Sequence, residues 1–135
     1  YQVVVAGKDP SRRFKKALAS YSNIRVVANP GDPELEQLIQ QAHINLLVSA
    51  QSTGAKLKLL HALYAGRHCL VNPAMVRGTG LESLCTVTES DREMEAALQA
   101  LMQQEFAGEE ILKRKKALKE YSNRAGAEKI LRLLD

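Results

Sequence analysis

Three short segments carry the glycines, lysines and hydroxyls that a phosphorylated ligand requires: GKDP at 7–10, SAQSTG at 49–54 running into AKLKLLH, and VRGTGLE at 76–82. Ser52, Thr53 and Gly54 stand just before a run with helical spacing. The first amides of a helix lack internal acceptors, so this junction could cradle a diphosphate through N–H groups and the positive helix end. Ser and Thr also make ordinary helix caps, and the sequence leaves both readings open. Lys56 and Lys58 offer positive charge beside this junction, but by helical spacing they point in different directions, so only one of the two is expected to face the cleft. His61 lies three residues beyond Lys58 on the same side, where its imidazole can exchange a hydrogen bond with a sugar hydroxyl or rest half-buried with a protein partner.

At the first glycine, Gly7 lets backbone approach a ligand, and Lys8 and Arg12 add positive charge. A tight turn before an exposed basic helix explains the same residues. The later segment places Asn72, Pro73, Arg77, Gly78, Thr79 and Gly80 in a loop. There Gly78 and Gly80 could expose backbone donors, Arg77 could meet a phosphate or carboxylate, and Glu82 could bind a hydroxyl. A plain turn is again the alternative. The familiar signatures are missing: no GxGxxG, no GxxxxGK[ST], no GxSxG elbow and no carboxylate pair placed for acid and base work. His43, His61 and His68 are scattered and give no metal-ligand spacing, so no metal or cofactor is expected.

The elements that must position these loops alternate. Val3–Ala6 reads as a strand, and Ser11 caps a helix with Phe14, Ala17, Leu18 and Tyr21 on one stripe. Ile24–Ala28 is a second strand, and Asp32–Pro33 opens a helix through Ala42 with Leu35, Leu38, Ile39 and Ala42 on its apolar face. Strands follow at Ile44–Val48, His68–Val71 and Leu84–Val87, with helices at Ala55–Ala65, ending at Gly66, and Asp91–Gln104. Short apolar strands separated by helices of about ten residues predict an α/β fold, a mainly parallel sheet with helices on both faces. Ligands of such folds gather outside the C-terminal strand ends, here the loops GKDP, NPGDP, SAQSTG and NPAMVRGTG.

At 135 residues, 45% hydrophobic and 25% charged, the chain can build one core, so it reads as a single domain, 1–135. The segment 109–135 reads as charged C-terminal helices packing on that domain through Ile111, Leu112, Leu118, Ile130, Leu131, Leu133 and Leu134. Its KRKK run at 113–116 is balanced by Glu105, Glu109, Glu110 and Glu120 and reads as a solvated helix face. Nineteen basic against fifteen acidic side chains give a net charge of +4, which favours anionic partners without specifying nucleic acid, and none is expected. No apolar run reaches the roughly 20 residues of a membrane span, and no secretory leader is read at the start. Cys69 and Cys85 sit in apolar contexts without paired spacing and read as buried free thiols of a cytoplasmic protein.

Taken in order, VVVAGKDP, NIRVVANPGDPELEQLIQQAHINLLVSA, STGAKLKLLHALYAGRHCLVN and GTGLE resemble the C-terminal, donor-binding half of GT-B nucleotide-sugar glycosyltransferases, group 1 type. The resemblance covers most of the chain and implies a Rossmann-like domain, an excised C-terminal half of a longer enzyme. It implies retaining, metal-independent transfer of a sugar from a nucleoside diphosphate donor to a glycan or lipid-linked acceptor, as in polysaccharide biosynthesis. Gly54 and its neighbouring amides would hold the diphosphate, Lys58 would offset its charge, and His61 would approach the ribose. His61 stands where the family carries a Glu, and Gln51 where it carries an acidic residue facing the donor sugar. Gly78, Thr79, Gly80, Leu81 and Glu82 would approach the donor. The acceptor-binding N-terminal half is a missing partner, so the isolated domain is expected to be inactive. The full-length protein is expected in the cytoplasm, at the inner face of a membrane. A nonenzymatic nucleotide or sugar-nucleotide binding module, or a structural domain, stands as the alternative.

Overall fold

The computed structural model describes residues 1–51, 56–122, 125 and 132. The chain is α/β and Rossmann-like, with every described strand pair parallel and helices flanking the sheets. In chain order the elements are β1 (Val3–Gly7), α1 (Arg12–Leu18), β2 (Ile24–Ala28), α2 (Asp32–Gln41), β3 (Ile44–Leu47), α3 (Leu57–Ala65), β4 (His68–Val71) and α4 (Pro73–Val76). A 3₁₀ turn at Glu82–Leu84 leads to β5 (Thr86–Val87), α5 (Asp91–Met102), α6 (Gly108–Leu118) and a second 3₁₀ turn at Lys119–Tyr121. The strands form two sheets, ordered β1-β2 and β3-β4-β5. The chain divides correspondingly into two compact units, Tyr1–Leu38 and Ile39–Asp135.

In the first unit β1 runs in register with β2 from Val3 opposite Ile24 to Gly7 opposite Ala28. Ser11 caps α1 by accepting from the Phe14 amide, as its position predicts. No side chain of this unit is fully buried. Phe14 and Tyr21, expected on the packing stripe of α1, are 43% and 58% exposed, and Leu18 is the half-buried residue of that helix.

The second unit holds the core. Leu59, Ala62 and Leu63 of α3 pack with Cys69 and Val71 of β4, Met75 and Val76 of α4, and Leu81 and Leu84. All four residues of β4 are buried, which is why its sequence shows no alternation: a central parallel strand is covered on both faces. Burying each Leu of this cluster contributes about 1.5–3 kcal/mol. His68 points its Nε2 at the Gln104 carbonyl and His43 at the Leu101 carbonyl, so both rings close the C-terminal end of α5. Two sequence expectations fail on α6. Ile111 and Leu112 are 43% and 68% exposed; the helix packs through Leu118, as expected, and through Ala117 and Arg114, which were not. Arg114, read as part of a solvated run, is buried and donates to the Leu63 carbonyl in the last turn of α3 and to the Gly66 and Arg67 carbonyls that follow it, where the helix supplies no donors.

The cysteines are free thiols, Cys69 buried and Cys85 half-buried. Desolvation pushes Cys69 up to about 11 and Cys85 up to about 12; Cys69 adds to the rise at Cys85, and Arg114 opposes it at both. A thiol whose folded pKa lies above its ordinary 9.0 favours the folded state fully below that pH, and the contribution is lost as pH climbs through the folded value. The stability difference between the parent chain and Cys69→Ala is therefore expected to stay constant below pH 9.0 and to narrow toward 11. Urea unfolding at stepped pH measures it.

Candidate functional site

The strand ends of the first unit border an open cavity of about 420 Å³ lined by Ala6, Gly7, Lys8, Asp9, Asn29, Pro30 and Leu35. Its construction follows from the sequence. The β1-β2 ladder continues one step beyond the strands, where the Asn29 amide donates to the Gly7 carbonyl at 2.8 Å. The Asn29 side chain then turns back, and its Oδ1 accepts from the Asp9 amide at 2.7 Å. Both turn residues lie in the left-handed region, Asp9 at φ 45° and Asn29 at φ 53°. Asn and Asp tolerate that conformation better than other non-glycine residues because their short side chains bond locally. Such backbone costs about 1–3 kcal/mol per residue and collects at ligand-binding loops. One asparagine thus ties the two strand ends together and sets the mouth of the cavity.

Gly7 lies at that mouth, and a Cβ built on it meets no atom within 4 Å. Packing therefore does not require glycine here, and the backbone stands open to a ligand. Lys8 supplies the one cation of the lining, and Ala6, Pro30 and Leu35 give it an apolar floor. Gly7 and Lys8 were legible in the sequence as candidates. Asp9, Asn29, Pro30 and Leu35 were not assigned, although the NPGDP loop was singled out; the available signal was an Asn immediately following a strand.

The sequence candidates of the second unit divide differently. Ser52, Thr53 and Gly54 lie outside the described residues. Asn72 fastens the end of β3 to the end of β4: its Oδ1 accepts from the Ser49 amide at 3.0 Å and its Nδ2 donates to the Ser49 carbonyl at 2.8 Å. Ser49 Oγ in turn donates to the Gln51 carbonyl at 2.8 Å. Lys56 reaches that Gln51 carbonyl at 2.7 Å, while Lys58 donates to the Val48 carbonyl at 3.2 Å. The two lysines, expected to point in different directions, both reach carbonyls of the segment that follows β3, because Lys56 stands at the N-cap position of α3 rather than within the helix. His61 is half-buried one turn further along α3.

The segment expected as a loop at 72–82 is more ordered than its composition suggests. Pro73 opens the one-turn helix α4, with Asn72 at its N-cap position. Gly78 and Gly80 then adopt φ 75° and 70°, the conformation that favours glycine. The Thr79 hydroxyl donates to the Val76 carbonyl at 2.7 Å and accepts from the Leu81 amide at 3.1 Å, and the Thr79 carbonyl accepts from the Tyr121 hydroxyl. Leu81 is a core residue at 2% exposure, so its side chain serves packing and only its backbone could meet a ligand. Glu82 and Arg77 are exposed.

Among the described residues no cluster of three or more His, Cys, Asp or Glu could hold a metal ion, and no helix is long and apolar enough to cross a membrane. Comparison with protein-family models, with curated proteins and with solved structures finds no match to the chain.

Proposed function

We propose that this chain binds a nucleoside diphosphate sugar, as the donor-binding half of a retaining glycosyltransferase whose acceptor-binding half completes the enzyme. The reading rests on one observation: an open cavity at the C-terminal ends of parallel strands, with an unobstructed glycine and a lysine at its mouth and an apolar floor. In parallel α/β folds that edge collects loops and backbone donors, and it is where nucleotides bind. Gly7 lets the ligand reach the main chain, Lys8 offsets phosphate charge, and Asn29 ties the two loops together. The chain by itself binds donor without turning it over, and the complete protein works at the inner face of a membrane on a glycan or lipid-linked acceptor.

Calorimetric titration with uridine, guanosine and adenosine diphosphates, and with their sugar conjugates, tests this directly. Saturable binding of at least one is expected. Because the added methyl meets only open space, Gly7→Ala should leave the unfolding midpoint unchanged yet weaken that ligand about tenfold, the usual scale for a misplaced methyl in a binding pocket. Binding unaltered by Gly7→Ala would place the ligand elsewhere.

A further inference from the structure

The cavity at the strand ends of the first unit carries one acid as well as one cation. Asp9 lines its mouth beside Lys8, is exposed, and among the described residues its carboxylate makes no hydrogen bond or ion pair. Two features of the fold hold it there. The Asp9 backbone sits at φ 45°, where glycine is the least costly residue, and the Asn29 side chain accepts from its amide at 2.7 Å. Neither needs a carboxylate: glycine would close the same turn, and Asn29 bonds the backbone. A negative charge beside the lysine also repels a phosphate. Folding and phosphate binding therefore leave the carboxylate unexplained, whereas hydroxyls on the ligand account for it.

Asn29 indicates which hydroxyls these are. It follows β2 and stands 22 positions beyond Gly7. In parallel folds that bind dinucleotides, an acid about 20 residues past the glycine turn takes the ribose hydroxyls. Here that position is an asparagine whose Oδ1 is engaged by the Asp9 amide, so the acid stands on the facing loop instead. We infer that the Asp9 carboxylate accepts the 2′- and 3′-hydroxyls of the ribose, and that the cavity thereby selects ribonucleoside over 2′-deoxyribonucleoside diphosphates. A carboxylate offers two oxygens to a vicinal diol, whereas the imidazole of His61, to which the resemblance gives the ribose, offers at most one acceptor nitrogen. The apolar floor of Ala6, Pro30 and Leu35 suits the face of the base. The inference rests on the proposed binding of a nucleoside diphosphate and adds which group of that ligand the site reads.

The test is calorimetric titration with uridine, guanosine and adenosine diphosphates, each beside its 2′-deoxy counterpart, in excess chelator and again with magnesium. The parent chain should bind the ribonucleotide about tenfold more tightly than the 2′-deoxy form, the lower end of what a hydrogen bond to a charged group contributes. Asp9→Asn and Asp9→Gly both suit a positive φ and remove the charge. Each should weaken the ribonucleotide and bring the two affinities together, while the 2′-deoxy form binds no more weakly than before because its phosphates are no longer repelled. A purely structural role for Asp9 would weaken both forms alike. Equal affinities in the parent chain, discrimination that survives both substitutions, or equal weakening of both forms would each overturn the inference and leave diphosphate binding standing. Binding that requires magnesium and is lost in Asp9→Asn would overturn it in favour of a cation held by the carboxylate. No binding of any diphosphate would overturn it together with the reading on which it rests.

Discussion

Replacing Arg114 with alanine is expected to destabilise the chain by about 3–5 kcal/mol, a large part of the roughly 5–15 kcal/mol that holds a domain of this size folded. The side chain is 4% exposed and crosses from α6 to the end of α3. There its Nη1 donates to the Gly66 carbonyl at 3.0 Å and the Leu63 carbonyl at 3.4 Å, and its Nη2 to the Arg67 carbonyl. Its guanidinium also lies 4.6 Å from the centre of the Phe106 ring, which packs edge-on against His68. Helix C-termini leave their last carbonyls without donors, and here one cation serves the Leu63 carbonyl of the last turn together with those of Gly66 and Arg67 just beyond it. Charge-assisted bonds of this kind are worth about 1.5–3 kcal/mol each, offset in part by the cost of burying the charge. Arg114→Lys should recover little, because a single ammonium cannot reproduce the planar fork. Arg114→Met should recover part of the loss through volume alone. Urea unfolding followed by circular dichroism distinguishes the three.

Gly66→Ala should cost about 3 kcal/mol, at the upper end of what overpacking usually exacts. A Cβ at this position would lie 2.4 Å from Asn45 Nδ2 and 2.7 Å from the Ala62 carbonyl oxygen. The backbone angles at Gly66, φ −96° and ψ −174°, are open to any residue, so the requirement for glycine is close approach rather than a left-handed cap. Asn45 is buried in β3, where its Nδ2 donates to the Ile39 carbonyl at 3.3 Å. Adding Asn45→Ser to Gly66→Ala should therefore return part of the stability, since one of the two clashes is with a side chain and the other with backbone. A thermal-melt double-mutant cycle reads the coupling directly.

These two residues mark the limit of what the sequence discloses. The bounds of β2 and β4 follow from apolar runs closed by Asn and Gly, and the cap at Ser11 follows from its place before a helical stripe. The end of α3 at Gly66 was legible as well, but its reason was not, because the neighbour that forbids a side chain lies 21 positions away at Asn45. Arg114 was misplaced for a related reason: a charged residue within KRKK reads as solvated until the α3 carbonyls are brought to it. Leu84 reads as a strand residue yet closes the 3₁₀ turn Glu82–Leu84, and α4, with four residues, is too short to show a period. The division into two sheets leaves no trace in strands that are all short and apolar. At the candidate site, Gly7 and Lys8 could be found by residue type. Asn29 could not, since its part depends on a side chain reaching back across two strands to the Asp9 amide.

The central claim is that the Gly7–Asn29 cavity receives the nucleoside diphosphate. Amide chemical-shift mapping of the ¹⁵N-labelled chain during titration with whichever diphosphate binds tests it most directly. Saturable shifts concentrated at Gly7, Lys8, Asp9 and Asn29 and abolished by Asn29→Ala are the expected result. Shifts that spare those four amides, or a spectrum unchanged by every diphosphate, would contradict it.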